Sequence, residues 1–340
     1  MLSLIIIIGL VMSLGASKFI FQKACLRREI QWPDLGVADD WQYGILTDAY
    51  KIKKEENKKI TITASDGTKL VGHYYERKKN APVVIFFHGL WGNCYTNGVP
   101  IYRITEKNNW NILLVNLRAH GESEGAVSTF GALEKYDCRD WANWVTSEFG
   151  EKTPIFLMGL SMGGAIVMMS SDLELPESVC GIIDNAGFTS SLEMIKLNSF
   201  NSKTKLHQEI LTELFTLSVN VGTRIWGGFN LADANSCTAL SRTKIPVLMI
   251  HGDQDTMAPI SMAYNLYNSC QSPKQLYIFS GAGHTDCYEK DPEKYERIIC
   301  EFIEKNRKGE LSGSDPCAQQ RALHRAGGNP ARKENNHLIR

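Results

Sequence analysis

A short apolar run that leads directly into a glycine-flanked serine constrains this chain most. The apolar residues Ile155–Met158 are followed at once by Gly159-Leu160-Ser161-Met162-Gly163. This order predicts a buried strand, a sharp turn and a helix, because glycine on both sides leaves room for so tight a bend. A serine on such a turn projects its hydroxyl above the edge of a sheet. Ser161 is therefore a candidate nucleophile.

Similar apolar runs recur along the chain and alternate with segments that can form helices. Runs that are apolar on both faces and alternate with helices are typical of a mostly parallel sheet covered on both sides. Leu133–Phe149, which ends at Gly150, and Pro292–Lys305 are predicted helices. The first two strands form a predicted hairpin with a turn at Asp66-Gly67. The eight predicted strands cover residues 60–64, 70–75, 83–87, 111–115, 155–158, 181–183, 247–250 and 275–279.

The segment between the sixth and seventh predicted strands is too long for an ordinary connection. It covers about residues 190–240 and contains helical patterns such as His207–Phe215. We expect it to form a helical lid over the site. The alternative is an excursion over the surface that has no role in function.

The N-terminal segment, residues 1–28, is predicted as a separate hydrophobic anchor or signal-like segment. It is apolar from Met1 to Gly15, and its positive charges, which begin at Lys18, all follow the apolar run. Extended to Phe21 the run could cross a bilayer, and the trailing charges would leave the folded domain on the cytoplasmic side. The alternatives are a cleaved secretory signal and a helix that packs on the protein's own surface, with a secreted or a cytoplasmic protein.

The C-terminal segment, residues 307–340, has few large apolar side chains and cannot bury a core. We predict a disordered extension or a vector-derived read-through. Residues 29–306 then form the folded domain.

Composition excludes several classes of function. The formal net charge is zero, and no long basic patch interleaved with aromatics is present, so nucleic acid is not expected as a partner. The nine cysteines are scattered and form no Cys-x-x-Cys pair, which argues against a zinc site or a disulfide scaffold. We expect free thiols in a reducing compartment, and neither a metal nor an organic cofactor. The sequence leaves the oligomeric state open.

A base and an acid that could serve Ser161 follow two later strands. Asp253 and Asp255 lie in the turn after the strand at 247–250, and His284 lies just past the final strand. Ligand sites of open α/β sheets gather at these carboxyl ends. The order serine, acid, histidine is that of α/β-hydrolases. We expect Asp255 to orient His284 and Asp253 to form the turn.

Backbone amides that could hold an oxyanion are predicted at two turns. His88-Gly89-Leu90-Trp91-Gly92 follows the third strand, and its glycines let amides turn toward the site. The Leu90 and Met162 N–H groups are the expected donors, with His88 in a structural role. Trp91, Trp226 and Phe229 are the predicted pocket walls, although each could equally serve in the core. We expect residues 184–190 to turn the chain into the lid rather than to line the leaving-group side.

Residues Ile60–Lys305 resemble serine hydrolases of the α/β-hydrolase superfamily, in a branch similar to bacterial membrane-anchored esterases and serine aminopeptidase-like lipases. The resemblance implies the triad Ser161, Asp255 and His284 on an α/β-hydrolase fold. The family usually has Asp and Gly where this chain has Asn116 and Ala119. The matching motifs are His88-Gly-Leu-Trp-Gly92, Leu117-Arg-Ala-His-Gly-Glu-Ser123, Gly159-Leu-Ser-Met-Gly163, His251-Gly-Asp-Gln-Asp255 and Gly281-Ala-Gly-His284.

These features together predict acyl transfer in two steps through an acyl-enzyme. The expected substrate is a small-molecule carboxylic ester with a short-to-medium acyl or an aryl group. A serine peptidase or amidase is a second hypothesis, although the sequence shows no acidic cluster that would hold a peptide amine. A non-catalytic binding protein is a third, but such proteins commonly lack part of the triad.

Overall fold

The computed structural model describes residues 2–29, 40–199, 205–307 and 338–339. Eight strands form a single sheet, and a two-residue strand pairs with its last edge. The order across the sheet is β1-β2-β4-β3-β5-β6-β7-β8-β9. The strands are β1 (Lys58–Thr63), β2 (Lys69–Tyr75), β3 (Val83–Phe87), β4 (Asn111–Val115), β5 (Ile155–Leu160), β6 (Val179–Asn185), β7 (Val247–Gly252), β8 (Lys274–Phe279) and β9 (Leu338–Ile339).

The six central strands, β3 to β8, run parallel to one another. β1 and β2 form an antiparallel hairpin, and β2 pairs antiparallel with β4. The hairpin turns at Gly67, where φ is +91° and the Asp66 carboxylate accepts the Thr68 N–H. The predicted mostly parallel, eight-stranded α/β fold is confirmed. Parallel pairing brings the carboxyl ends of β3 to β8 to a single edge, where the site is assembled.

Helices cover both faces of the sheet, so it has two cores. Consecutive residues of β3 show this, because Val83 and Ile85 belong to one buried cluster and Val84 and Phe86 to the other. The first cluster includes side chains of α4, α5 and α9, and the second includes side chains of α2, α3 and α11. The helices are α1 (Leu2–Cys25), α2 (Asp40–Lys54), α3 (Cys94–Asn108), α4 (Glu134–Phe149), α5 (Met162–Met169), α6 (Ser191–Ser199), α7 (Lys205–Gly222), α8 (Ser236–Leu240), α9 (Ile260–Ser269), α10 (Cys287–Lys290) and α11 (Pro292–Asn306).

The two helices predicted from apolar spacing begin and end close to their expected bounds. α4 ends before Gly150, which takes a φ of +92° that other residues adopt only at a cost. α11 begins after Asp291, whose side chain accepts the Lys294 N–H, and Pro292 occupies its first turn. Both capping patterns are visible in the sequence.

The predicted lid between β6 and β7 contains α6, α7 and α8, while residues 200–204 lie outside the described part. The N-terminal helix α1 packs against α7. Phe21 and Cys25 of α1 are buried in the core that faces α4 and α5. The segment between β6 and β7 therefore contacts α1 through α7 and contacts α5 through α8.

The predicted membrane anchor is not supported. Within the described part of the chain, no helix combines the length and the apolar character needed to cross a bilayer. Instead, the second half of α1 gives its apolar side chains to the fold, as in the alternative of a helix on the protein's own surface. Of the predicted C-terminal tail, residues 308–337 and 340 lie outside the described part, and β9 pairs antiparallel with β8 at Leu276 and Tyr277.

The turn between β5 and α5 leaves no space for side chains at its glycines. Ser161 has φ +55° and ψ −114°, an unfavourable conformation for a residue with a Cβ atom. A Cβ atom on Gly159 would lie 2.0 Å from the Gly163 backbone. One on Gly163 would lie 2.0 Å from the Phe87 carbonyl oxygen. The contacts of α5 with β3 and β5 thus hold Ser161 in its strained conformation.

Replacing Gly163 by alanine is expected to destabilise the protein strongly, by about 3 kcal/mol or more, because backbone must move to admit the methyl group. Gly44 is a matched control, since it lies within α2 and a Cβ atom there meets nothing within 4 Å. Gly44→Ala should stabilise slightly, as alanine favours helices. Chemical denaturation of both variants measures the difference. Equal stability of the two would show that the turn has more room than its geometry indicates.

Asp184, at the end of β6, is a fully buried carboxyl group below this turn. Its Oδ1 accepts the Gly187 N–H at 2.9 Å and lies 2.1 Å from where a Cβ atom of Gly164 would be. Burial raises the pKa of Asp184 to about 8, and the single hydrogen bond from Gly187 offsets this only in part. The carboxyl group is therefore protonated in the folded protein at neutral pH.

The Asp184 carboxyl should make the protein less stable as the pH rises from about 4 to about 8. In this range the unfolded chain has lost the proton that the folded protein retains, so each pH unit removes up to about 1.4 kcal/mol. Asp184→Asn keeps the acceptor for Gly187 and cannot ionise, so its free energy of unfolding should not show this decline. Denaturation of both proteins across this range is the test. Parallel pH profiles would mean that Asp184 is already ionised in the folded state.

Candidate active site

The structure brings Ser161, Asp255 and His284 together at the carboxyl edge of the sheet. The Ser161 hydroxyl lies 2.8 Å from Nε2 of His284. Nδ1 of the same imidazole lies 2.7 Å from Oδ2 of Asp255. The three residues follow β5, β7 and β8; β7 and β8 are adjacent in the sheet, and one strand, β6, separates β5 from β7. A continuous chain of hydrogen bonds can therefore connect the hydroxyl with the carboxylate.

The environment of Asp255 favours its ionised form. Its side chain is fully buried, yet Oδ1 accepts the N–H groups of Met257 and Ala258 at 2.9 and 2.8 Å. Burial alone would raise the pKa of Asp255, but the hydrogen bonds from His284 and Ala258 outweigh it and lower the pKa. An ionised carboxylate at this place holds the proton of His284 on Nδ1 and leaves Nε2 free to accept the serine proton.

Two neighbours of Asp255 shape its loop. Oδ1 of Asp253 accepts the Gly281 N–H at 2.7 Å, which ties the loop after β7 to the loop that carries His284. The buried His251 donates from Nε2 to the Ala258 carbonyl at 2.7 Å, and burial lowers its pKa. Sequence reasoning did not single out His251, although the matched motif contains it.

The Leu90 and Met162 N–H groups lie on the two turns beside Ser161. Met162 is the first residue of α5, so its N–H has no acceptor within the helix and lies at the positive end of the helix dipole. Leu90 follows β3 in the turn before α3. Within the described chain no hydrogen-bond acceptor is found for the Leu90 N–H. Both groups are thus suitably placed to receive a negatively charged oxygen.

His88 has a structural environment. It is completely buried, its Nδ1–H donates to the Gly89 carbonyl at 2.8 Å, and its Nε2 accepts the Leu117 N–H at 3.2 Å. Burial lowers the pKa of His88 to about 3, so the ring is neutral. A neutral ring with both nitrogens engaged connects the loop after β3 to the loop after β4.

His120 connects the same two loops at a second point, and sequence reasoning missed it. Its Nε2 accepts the Trp91 N–H at 3.2 Å and its Nδ1–H donates to the Arg118 carbonyl at 2.8 Å. Trp91 has a φ of +54°, which this hydrogen bond helps to hold. Burial lowers the pKa of His120, so it remains an acceptor at neutral pH. The position of the preceding Leu90 amide depends on this contact.

A cavity of about 320 Å³ opens beside Ser161 between the sheet, the lid and α1. Trp91, one of the three predicted wall residues, lines it. Its walls are mostly apolar and include side chains from α1, from the loop after β3, and from α6 and α7. The lining residues are Ala24, Arg28, Leu90, Trp91, Phe130, Ser161, Met162, Phe188, Ser191, Met194, Ile195, Asn198, Phe215 and Met257.

Trp226 and Phe229, the other two predicted wall residues, do not line this cavity. They lie in and just after the π-helical turn Thr223–Gly227 that follows α7. Phe229 is 6% exposed and packs in the core, and a Cβ atom on Gly227 would lie within 3.0 Å of both the Phe229 and Phe21 rings. The close contact between this turn and α1 takes these aromatic side chains away from the site.

Sequence reasoning missed the apolar side chains that do line the cavity. Met194 and Phe215 lie on lid helices, where their spacing is that of ordinary core residues. Phe188 lies in the segment 184–190, which we expected only to turn the chain into the lid. One signal could have pointed to Phe188. β6 pairs with β5, which ends at the Gly159–Gly163 motif, so the segment after β6 begins close to Ser161. No group of three or more side chains suited to hold a metal ion is found within the described ranges.

The chain is similar to a family of hydrolases and to several known proteins. The serine aminopeptidase S33 family model matches residues 78–220. The uncharacterised protein YqkD of Bacillus subtilis is 22% identical over 249 residues, or 73% of this chain and 80% of that protein. The monoglyceride lipase of Rattus norvegicus is 25% identical over 270 residues, or 71% of this chain and 88% of the lipase.

Among solved structures, an esterase of Pyrococcus furiosus matches with a TM-score of 0.62 at 20% identity, over 83% of this chain and 100% of the esterase. This likeness concerns the fold alone. Together with the hydrolase family model that matches residues 78–220, these findings support an α/β-hydrolase superfamily hydrolase.

Proposed function

We propose that this protein is a serine carboxylesterase that hydrolyses short-to-medium acyl or aryl esters through an acyl-enzyme. Ser161 is the nucleophile, His284 the general base and acid, and Asp255 the group that orients the imidazole. The observation that carries the proposal is the pair of hydrogen bonds, 2.8 and 2.7 Å long, that His284 can make to Ser161 and Asp255. Both distances are within the range of hydrogen bonds that transfer protons during catalysis.

In the first step Nε2 of His284 takes the Ser161 proton while the serine oxygen attacks the ester carbonyl carbon. The carbonyl oxygen becomes an oxyanion, which the Leu90 and Met162 N–H groups hold. The tetrahedral intermediate collapses, the alcohol leaves with the proton from His284, and the acyl group stays on Ser161. In the second step His284 deprotonates a water molecule that attacks the acyl carbon. The bond from that carbon to the Ser161 oxygen then breaks, His284 returns the proton to this oxygen, and the acid is released.

The composition of the cavity favours an ester over a peptide. No aspartate or glutamate occurs among the described residues that line it, whereas an aminopeptidase needs an anion for the free α-amine of its substrate. Apolar walls instead suit a hydrocarbon or aromatic group. The size of about 320 Å³ is at the lower end for ligand pockets, which agrees with a small ester.

Ser161→Ala should remove almost all hydrolysis of p-nitrophenyl esters, with kcat falling by about 10³-fold or more, because it removes the hydroxyl that lies within hydrogen-bond distance of Nε2 of His284. Ser241→Ala is a matched control, since that exposed hydroxyl donates to the Thr238 carbonyl and does not reach the triad. Initial rates across an acyl series, with a peptidyl amide in parallel, are the measurement. Undiminished turnover by Ser161→Ala would remove this serine from the mechanism, and turnover of the amide alone would make the protein a peptidase.

Asp255→Asn should lower kcat by about 10³- to 10⁴-fold without unfolding the protein, because an amide donates to His284 and places its proton on the wrong nitrogen. Asp253→Asn is the control, since its Oδ1 can still accept the Gly281 N–H. Kinetics and thermal unfolding of both variants distinguish catalysis from stability. Similar kcat values for the two variants would contradict the role of Asp255.

A further inference from the structure

The N-terminal helix reaches the cavity beside Ser161 with its last turn. Ala24 of α1 and Arg28, shortly after it, line the cavity together with Met194 of α6 and Phe215 of α7. We propose that α1 is a wall of the substrate cavity and that Ala24 limits the length of the hydrocarbon chain that the cavity accepts. This inference rests on the proposed ester hydrolysis and adds a residue that sets its specificity.

Helix α1 is attached to α7 of the lid near Ser17. The Ser17 side chain, only 2% exposed, donates to the Ser218 carbonyl of α7 at 2.5 Å. One turn further, Gly222 approaches α1 so closely that a Cβ atom there would lie 2.8 Å from Cβ of Phe21. Small residues at the crossing bring the two helices together, so the lid and α1 form one wall.

The end of α1 is fixed to the body of the domain. The Arg27 N–H donates to the Ala126 carbonyl and the Ser128 N–H to the Cys25 carbonyl, both at 2.8 Å. The Ser128 hydroxyl in turn lies 3.9 Å from Sδ of Met162, the residue after the nucleophile. Ala24 therefore has a defined position relative to Ser161.

Arg28, three residues beyond the end of α1 at Cys25, adds a third attachment. The Arg28 guanidinium lies 4.6 Å from the centre of the Trp91 ring, over its face. Trp91 is next to Leu90, whose N–H we assign to the oxyanion. Three separate contacts, to the lid, to the loop after β4 and to the loop after β3, thus hold this part of the chain at the site.

The small side chain of Ala24 determines how long a hydrocarbon chain the cavity can accept. Ala24 is partly exposed because it faces the cavity, and its inner side packs against the core. A larger side chain here must extend into the cavity, since the backbone on both sides is hydrogen-bonded in place. The walls of the cavity are mostly apolar, so the group displaced would be hydrocarbon.

The test compares Ala24→Leu and the milder Ala24→Val with Ala16→Leu, which adds the same atoms to an exposed position of the same helix. Each protein is assayed with p-nitrophenyl alkanoates of increasing acyl length and with alkyl acetates of increasing alcohol length. We expect the ratio of kcat/KM for long to short chains to fall by about fivefold or more in Ala24→Leu, in whichever series places its chain in the cavity. Ala24→Val should show a smaller fall, and Ala16→Leu should keep the wild-type ratio.

Unchanged length profiles of Ala24→Leu in both series, with thermal unfolding showing a folded protein, would overturn the inference. If Ala24→Leu does not fold, the profile of Ala24→Val decides in the same way. An equal shift in Ala16→Leu would also overturn it, because the effect would then come from the helix as a whole. Wild-type protein that hydrolyses neither series is a distinct result, since it overturns the proposed function itself.

Discussion

The site depends on one steric constraint, the absence of space at the turn between β5 and α5. Gly159 and Gly163 bring the first turn of α5 so near to β5 and β3 that a single methyl group would overlap backbone atoms. This proximity holds Ser161 in a conformation that a serine would otherwise avoid. It also directs the N-terminus of α5, and with it the Met162 amide, toward the same point. The position of Ser161 and the electrostatic environment of its hydroxyl thus result from the same close packing.

Two buried carboxyl groups near this turn show how local donors decide ionisation. Asp184 lies at the end of β6 and Asp255 follows β7, and both are buried. Asp255 accepts from two amides and faces an imidazole, which lowers its pKa, whereas the one N–H donor found for Asp184 among the described residues is that of Gly187, and burial raises its pKa. Both groups are aspartates, so residue type does not separate them. The donors and charges that face each carboxylate, set against the cost of burial, do.

The fold and the candidate triad could be predicted from the sequence because their signals are local. Runs apolar on both faces mark strands of a doubly covered sheet, and glycines, aspartates and a histidine just after those strands mark the edge where they meet.

The cavity could not be predicted in this way. Its walls come from α1, α6 and α7, and which side of each helix faces Ser161 depends on how the helices cross. Trp226 and Phe229 illustrate this, since a close helix crossing takes them into the core. The apolar N-terminal run shows the same limit, because hydrophobicity alone fits a bilayer and a contact with other helices equally well.

The attachment of α1 to both the lid and the body has a consequence for engineering. Domain boundaries drawn from the motif-bearing region alone, beginning near β1, would omit a helix that supports α7. A shortened protein of that kind would keep all three polar groups of the triad and still present them to an open, hydrated groove. Its cavity beside Ser161 would then lack the wall that Ala24 and Arg28 provide.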